Sequence, residues 1–369
     1  MNCEIEFLAV GKASCAGDAI IVRYGTPQAF KLMLVDGGPA PAGERIVSHL
    51  KRHFGAYVEL EHVVLTHSDI DHASGLRTVL RELPVRNLWL HIPWELAKDS
   101  RHLFRNKTMT ADALMRRVRS EYDIVAEIVD IAELADCKLD YPFAGKTIGP
   151  FLVCSPTAYA YRHLLPQFDE TPEPDRAAIE AARMWLGKES LLRRIFEQAR
   201  KATEYWIEES WTEERLRDVG QASASDESSV ILYGDFGDRR ALLTGDAGVN
   251  ALGWAADYAE ARGLPLQSFS FVQVPNHGGR RNVGPAILDR ILGPVQARDD
   301  PARFSAYVSA PAGDPRFPRK MVANAFKRRG GLIIATQGED RIHYGGFPRR
   351  QGYRNVDPLP FFDRVEDYA

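Results

Sequence analysis

Short apolar runs alternate with longer amphipathic stretches along most of the chain. Glu4 to Val10, Ala19 to Tyr24 and Lys31 to Val35 read as strands, with turns at Gly17-Asp18 and Gly25-Thr26-Pro27 between them. A helical pattern follows over Gly43 to Phe54, and then a strand over Tyr57 to Thr66. Further strands are predicted at Asn87 to Ile92, Phe151 to Cys154, Val230 to Tyr233, Ala241 to Thr244, Phe269 to Val274, Ser305 to Ser309 and Leu332 to Ala335. Helical spacing recurs at Ser74 to Leu83, Thr110 to Tyr122, Val249 to Arg262, Pro285 to Leu292 and Arg319 to Arg328. Opening hairpins followed by alternating strands and helices predict a layered α/β fold, taken as a single domain over 1–369.

The rhythm breaks from about Thr157 to Ala224, where no convincing strand is visible. Pro172 to Leu186 and Lys188 to Val219 read as charged amphipathic helices carrying Trp185, Trp206 and Trp211. This helical insertion, 157–224, either packs its tryptophans on the body or serves as a lid, cap or surface for a protein partner.

Composition changes the picture only by exclusion. With 369 residues, 45% hydrophobic and 26% charged, the chain can bury a sizeable core. Its net charge of -3 provides no global positive field, so any contact with a polyanion must use a local patch. The N-terminus lacks a basic segment followed by an apolar run, and no stretch approaches the ~18 apolar residues of a membrane helix. Cys3, Cys15, Cys137 and Cys154 form no Cys-x-x-Cys pair. The expectation is a cytoplasmic protein with reduced thiols and no membrane partner.

Candidate chemistry is concentrated in His67-Ser68-Asp69-Ile70-Asp71-His72, four of whose six residues can bind a metal ion. The segment lies where the run Val63-Val64-Leu65 gives way to Ala73-Ser74-Gly75-Leu76, so it reads as a turn from strand to helix. Asp246 in Leu243-Thr244-Gly245-Asp246 and His277 in Pro275-Asn276-His277-Gly278-Gly279 also follow predicted strands. Asp36, in Val35-Asp36-Gly37-Gly38, repeats that placement. Strand ends are where an α/β fold gathers ligands. A solvated charged loop and ordinary glycine-flanked turns are the alternatives for each motif alone.

These motifs, Thr66-His67-x-Asp69-x-Asp71-His72, Leu243-Thr244-Gly245-Asp246 and His277-Gly278-Gly279, resemble the metallo-β-lactamase superfamily. The aspartate-bearing metal turn, Gly17-Asp18-Ala19-Ile20, Val35-Asp36-Gly37-Gly38 and Asp226-Glu227-Ser228-Ser229-Val230 resemble the hydrolase domain of the bacterial DNA-uptake protein ComEC. The resemblance covers most of 1–345 apart from the insertion, and it implies a four-layer αββα sandwich. It further implies that His67 and Asp69 hold a first metal, that Asp71, His72 and His277 hold a second, and that Asp246 bridges them. Asp36 would orient a ligand histidine, with a plain turn as the alternative. Two divalent ions sharing a hydroxide could then attack an electrophile, with Asp71 as the candidate for proton handling.

The chain departs from that superfamily where a further histidine is expected. After the strand Phe151 to Cys154 it reads Ser155-Pro156, which leaves the first metal short of protein ligands. His163 lies further on and is a weaker candidate. Phe317-Pro318 stands where the ComEC-type domain commonly has His-Pro, a loss for which His343 could compensate. The carboxylate-rich donor set makes Mn²⁺, Fe²⁺ or Mg²⁺ competitive with Zn²⁺, for one ion or two. Arg280 and Arg281 follow His277 directly, and Arg316, Arg319, Lys320, Lys327, Arg328, Arg329, Arg349, Arg350 and Arg354 cluster near the C-terminus. An anionic substrate, a nucleic acid or a nucleotide, is expected from this clustering, with a solvated basic face as the alternative. The resulting expectation is a metal-dependent phosphodiesterase or nuclease. The alternatives are an ester, lactone, thioester or amide hydrolase, and a non-catalytic metal-binding sensor or partner module.

Overall fold

A computed structural model describes residues 1–12, 16–183 and 205–368. Among these residues the strands form two seven-stranded sheets and one two-stranded ribbon. The first sheet contains β1 (Asn2–Phe7), β2 (Ile20–Gly25), β3 (Phe30–Val35), β4 (Leu60–Val64), β5 (Val85–Trp89) and β6 (Lys138–Asp140). The second contains β7 (Thr147–Ile148), β8 (Phe151–Ser155), β10 (Ile231–Asp235), β11 (Arg240–Leu243), β12 (Phe271–Gln273), β13 (Phe304–Val308) and β14 (Gly331–Ala335). β15 (Arg341–His343) returns to the first sheet beside β1, while β9 (Trp206–Glu208) and β16 (Arg364–Glu366) make the ribbon.

Both sheets are mixed and share one design. In the first, β15, β1, β2 and β3 pair antiparallel, and β3 to β6 then run parallel. In the second, β7, β8, β10 and β11 pair antiparallel, and β11 to β14 run parallel. Each parallel crossover carries a helix to an outer face. α1 (Ala42–Phe54), α2 (Ile70–Ala73), α3 (Leu76–Glu82), α4 (Pro93–Ala97), α5 (Ala111–Glu121) and α6 (Asp123–Leu134) follow strands of the first sheet. α7 (Ala158–Leu164) and α8 (Arg176–Arg183) follow β8, and α9 (Val249–Ala261), α10 (Pro285–Leu292) and α11 (Lys320–Arg328) belong to the second sheet.

Alternation along single strands shows why the apolar runs are continuous. Ile20, Val22, Met33, Val35 and Val64 face the second sheet with Phe151, Leu243 and Phe271. Their neighbours Ile21, Leu34 and Val63 face outward onto Ile46, Leu76, Val79 and Ile128 of the helices. A strand buried on both faces needs apolar residues at both parities. A separate outer core packs Val272, Ala306 and Ile333 against Leu252, Ile287 and Phe326. The layer order is therefore helix, sheet, sheet, helix, the αββα sandwich.

Within 157–224, α7 and α8 are helical, but the described part of Lys188 to Val219 differs from the helical reading. Residues 188–204 and Trp185 lie outside the described residues, but 205–219 hold β9 and turns rather than a helix. Trp206, Ile207 and Glu208 pair with Glu366, Val365 and Arg364, a partner more than 150 residues distant that leaves no local sequence signal. Trp211 donates to the Gln296 carbonyl at 2.9 Å and packs on Phe361, so it is anchored to the body. Among the described residues no helix is long and apolar enough to cross a membrane.

Candidate metal centre

The C-terminal ends of parallel strands in both sheets meet at one edge of the sandwich. Asp36 follows the end of β3, β4 leads into 66–72, β11 leads to Asp246 and β12 to His277. The peptide after β4 enters α2 with Asp69 as its N-cap, so the single turn that follows projects Asp71 and His72. Asn276, His277 and Gly278 all adopt positive φ, of 43°, 53° and 82°. For asparagine and histidine that conformation is uncommon and clusters at functional sites. A Cβ at Gly278 would lie 2.4 Å from the Pro318 Cβ, so this turn tolerates only glycine there.

Among the described residues four groups of donor atoms lie within 4.8 Å of one another at this edge: His67, His72 and Asp246; Asp71, His72 and His277; His67, Asp69 and Asp226; and Asp18, Asp36 and His72. Asp246 Oδ2 stands 3.5 Å from both His72 Nε2 and His277 Nε2. Donors bound at about 2.0–2.1 Å in a tetrahedron lie roughly 3.3–3.5 Å apart, so this spacing suits shared coordination. His67 Nε2, His72 Nε2, His277 Nε2 and Asp246 Oδ1 are buried without any hydrogen-bond partner. Buried polar atoms are normally paired, and the donor set here, imidazole and carboxylate, is that of a divalent cation site.

The opposite edge of each histidine is fully used. His72 Nδ1 lies 2.8 Å from Asp36 Oδ2, and His277 Nδ1 lies 3.0 Å from the Ser309 carbonyl. Asp36, wholly buried, also accepts from the Thr66 amide and hydroxyl, each at 2.7 Å. Because the Thr66 hydroxyl gives its proton to Asp36, it accepts from His67 Nδ1 at 3.0 Å. In the neutral form of each ring, Nδ1 therefore carries the proton and Nε2 would present a lone pair to a bound ion.

Without an ion the charges interact strongly. Burial opposes protonation of His67, but the Asp69 and Asp246 carboxylates outweigh it and lift the pKa to about 9. Burial likewise opposes protonation of His72, and Asp246 and Asp36 raise its pKa well above the usual value. Asp69, which burial alone would raise, is held at about 2 by His67 and by hydrogen bonds.

The other predicted residues fall elsewhere. Arg280 stacks over Tyr368 at 4.9 Å and donates to the Asp367 carbonyl, so the C-terminal segment occupies it. Arg281 is exposed beside the His277 turn. His343 sits on β15 opposite Ile5, its ring 5.0 Å from that of Phe271, and burial lowers its pKa to about 4. It belongs to none of the donor groups at the edge. His163 is on α7, bonded to the Tyr159 carbonyl. Arg328 and Arg329 are buried in ion pairs with Glu209, Glu214 and Asp289, and Arg350 pairs with Glu4 and Glu6, so this part of the basic cluster is internal structure.

Two residues of the site were not singled out from sequence. Asp18 is fully buried, accepts from Gln273 Nε2 at 2.7 Å and leaves Oδ1 unpaired beside Asp36 and His72. Asp226 joins His67 and Asp69. Asp18 and Asp226 lay inside quoted motifs, but nothing local distinguishes a carboxylate in a hairpin or a strand lead-in from a turn residue.

Residues 16–155 match the family model of the metallo-β-lactamase superfamily, a span from the first hairpin through the metal turn to the end of β8. The matched span, less than half of the chain, takes in Asp36 and the metal turn and stops before Asp226, Asp246 and His277. Among solved structures the chain is similar to a metal-dependent hydrolase of the beta-lactamase superfamily, at 12% identity over 92% of this chain and 98% of that one, with a TM-score of 0.42. It is also similar to the CmlA β-hydroxylase, at 12% identity over 93% of this chain and 54% of that one, with a TM-score of 0.42. A beta-lactamase domain protein from Burkholderia ambifaria aligns at 12% identity over 75% of this chain and 69% of that one, with a TM-score of 0.33. No curated protein matches the chain.

Proposed function

We propose that this chain is a metal-dependent hydrolase of phosphodiesters, in a nucleic acid or a nucleotide. The observation that carries the metal-dependent reading is the convergence of unpaired buried atoms, His67 Nε2, His72 Nε2, His277 Nε2 and Asp246 Oδ1. Leaving each such atom unpaired costs on the order of 1–3 kcal/mol, which coordination would offset. In this reading His67 and Asp69 would hold one ion, Asp71, His72 and His277 would hold a second, and Asp246 would serve both. Divalent ions bound there supply Lewis acidity and a nucleophile ionised near neutral pH. The protein's own residues orient and neutralise. Asp36 and the Ser309 carbonyl fix the histidine tautomers. Asp71, partly exposed at the end of the set, takes the proton of the entering water. Arg281, exposed beside His277, meets the phosphate.

A carboxylate-rich donor set favours the hard ions that commonly accompany phosphate chemistry, which supports the choice of phosphodiesters over other electrophiles. The test is turnover of bis-p-nitrophenyl phosphate, a dinucleotide, a lactone and a thioester by protein loaded with Mn²⁺ or Zn²⁺. The expected result is phosphodiester cleavage that Asp71→Ala and Asp246→Ala each abolish. Cleavage of the lactone or thioester alone would overturn the phosphodiester assignment.

A further inference from the structure

The two ions of the proposed centre are unequally provided for by the residues named above. The second has Asp71, His72 and His277, whereas the first has only His67 and Asp69 besides the shared Asp246. Resting on that metal-dependent reading, we infer that Asp226 is the missing protein ligand of the first ion. It would occupy the position left vacant by the absence of a histidine at Ser155-Pro156.

The topology brings it there. β10 lies between β8 and β11 in the second sheet, so the segment leading into β10 crosses the same edge of the sandwich as the metal turn. Donor atoms of His67, Asp69 and Asp226 fall within 4.8 Å of one another. His67 points into this triangle with a side chain that is 0% exposed and an Nε2 that has no hydrogen bond. Its nearest carboxylate oxygen, Asp69 Oδ2, is 3.6 Å away, too far for a hydrogen bond but close to the separation of two donors on one ion.

The Asp226 carboxylate is held in place by neighbours that leave coordination open. Asn276 Nδ2 at 3.0 Å, Asn282 Nδ2 at 3.3 Å and the Ser223 amide at 3.4 Å all donate to Oδ2. Asn282 also donates to the Asp246 carbonyl at 2.7 Å, which ties this carboxylate to the shared ligand. The preceding residue acts on the other ligand, because Ser225 Oγ donates to Asp69 Oδ1 at 2.5 Å.

The following residue fixes the segment to the fold. Glu227 accepts from the Ala251 amide at 2.6 Å and from Asn250 Nδ2 at 2.8 Å, at the start of α9. Gly248 makes room for it, since a Cβ there would lie 2.4 Å from Glu227 Oε1. The Val230 amide donates to the Thr66 carbonyl at 3.0 Å, one residue before His67. Residues 225–230 thus form a clamp that is bonded to α9 on one side and to the metal turn on the other.

The chemistry of the two positions then differs. The first ion meets one imidazole and the carboxylates of Asp69, Asp226 and Asp246. The second meets two imidazoles with Asp71 and Asp246. Oxygen-rich coordination selects Mn²⁺ or Mg²⁺ over Zn²⁺ more strongly than mixed coordination does, so the first position is the manganese-preferring one.

The experiment is titration of metal-free full-length protein with Mn²⁺, free ion being counted by electron paramagnetic resonance and bound ion by elemental analysis. Wild type is expected to bind two ions. Asp226→Asn should keep the second and weaken the first by more than the ~10–100-fold typical of losing an outer hydrogen-bond partner. His277→Ala should do the reverse. Asp226→Glu, which restores a carboxylate, should recover part of the first affinity, and a metal-free melting curve like that of wild type shows that the loss is local. Two ions retained at unchanged affinity in Asp226→Asn would overturn this assignment alone. A wild type that binds no ion would overturn the metal-dependent reading as well.

Discussion

Replacing Asp36 by asparagine should weaken both ions although Asp36 touches neither. The substitution removes one charge and turns one oxygen into an NH₂ group, and it is otherwise isosteric. Asp36 has φ of 59°, a left-handed conformation that asparagine accepts and alanine resists by about 1–2 kcal/mol, so Asp36→Asn is the cleaner probe. In the native site Asp36 accepts protons from the Thr66 amide, the Thr66 hydroxyl and His72 Nδ1 at 2.7, 2.7 and 2.8 Å. An asparagine can keep its oxygen toward the amide, but its NH₂ then faces the hydroxyl and His72. His72 must present a lone pair at Nδ1, which moves its proton to Nε2, the atom that faces Asp246. The Thr66 hydroxyl loses its acceptor, so its hold on His67 Nδ1 is reversed as well. Loss of an outer partner of a metal-binding histidine typically costs about 10–100-fold in affinity, or roughly 1.4–2.7 kcal/mol per ion. The assay is competition with a chromophoric chelator for Zn²⁺ and Mn²⁺, with circular dichroism of the metal-free protein as a check on folding. Affinities within about twofold of wild type for both ions would refute the tautomer argument.

Three further outcomes are expected. Metal-free protein should lose stability as pH rises from about 6.5 to about 9, because His67 has a folded pKa of about 9 against an ordinary value of 6.5. Its protonated form stabilises the fold fully below the ordinary value, and that contribution disappears through the folded value. For the same reason ion binding at pH 7 should release protons, seen as a calorimetric enthalpy that changes with the buffer's ionisation enthalpy; a buffer-independent enthalpy would contradict it. Arg328→Met should destabilise the protein by about 3–5 kcal/mol in a chemical unfolding curve, since it leaves the wholly buried Glu209 carboxylate without its only cationic partner among the described residues; a change under about 1 kcal/mol would contradict it.

Much of the architecture is readable from periodicity because the two sheets bury both faces of their central strands. Apolar runs stand in β2 (Ile20-Ile21-Val22), β3 (Leu32 to Val35), β13 (Ala306-Tyr307-Val308) and β14 (Leu332 to Ala335), and the metal turn and Asp246 come within three residues of the runs Val63-Val64-Leu65 and Ala241-Leu242-Leu243. The unread parts depend on distant partners. α6 follows α5 across Tyr122 with no glycine or proline to mark the corner. β9 exists through its pairing with β16, and a charged segment with tryptophans looks helical when read alone. Arginines near the C-terminus look like a surface for anions, but Arg328, Arg329 and Arg350 answer to buried glutamates and an aspartate. Asp226 is readable as a strand lead-in, and only the order of β8, β10 and β11 shows what it faces.

The twin design of the sheets has a consequence for how this molecule comes apart. Asp36, His67, Asp69, Asp71 and His72 come from the first sheet, and Asp226, Asp246 and His277 from the second. In the proposed reading a cation held among them would be a crosslink between halves otherwise joined by the apolar seam of Phe7, Val35, Val64, Leu243 and Phe271 and by hydrogen bonds such as Gln273 to Asp18 and the Val230 amide to the Thr66 carbonyl. Each half would supply only part of the proposed ligand set, so chelation should lower the barrier to parting the seam while each half keeps its own helices. Hydrogen exchange should register this first in the inner-facing strands β3, β4, β11 and β12. At an ion concentration 100 times the dissociation constant, such a crosslink would contribute about 2.7 kcal/mol per independent ion to holding the seam shut.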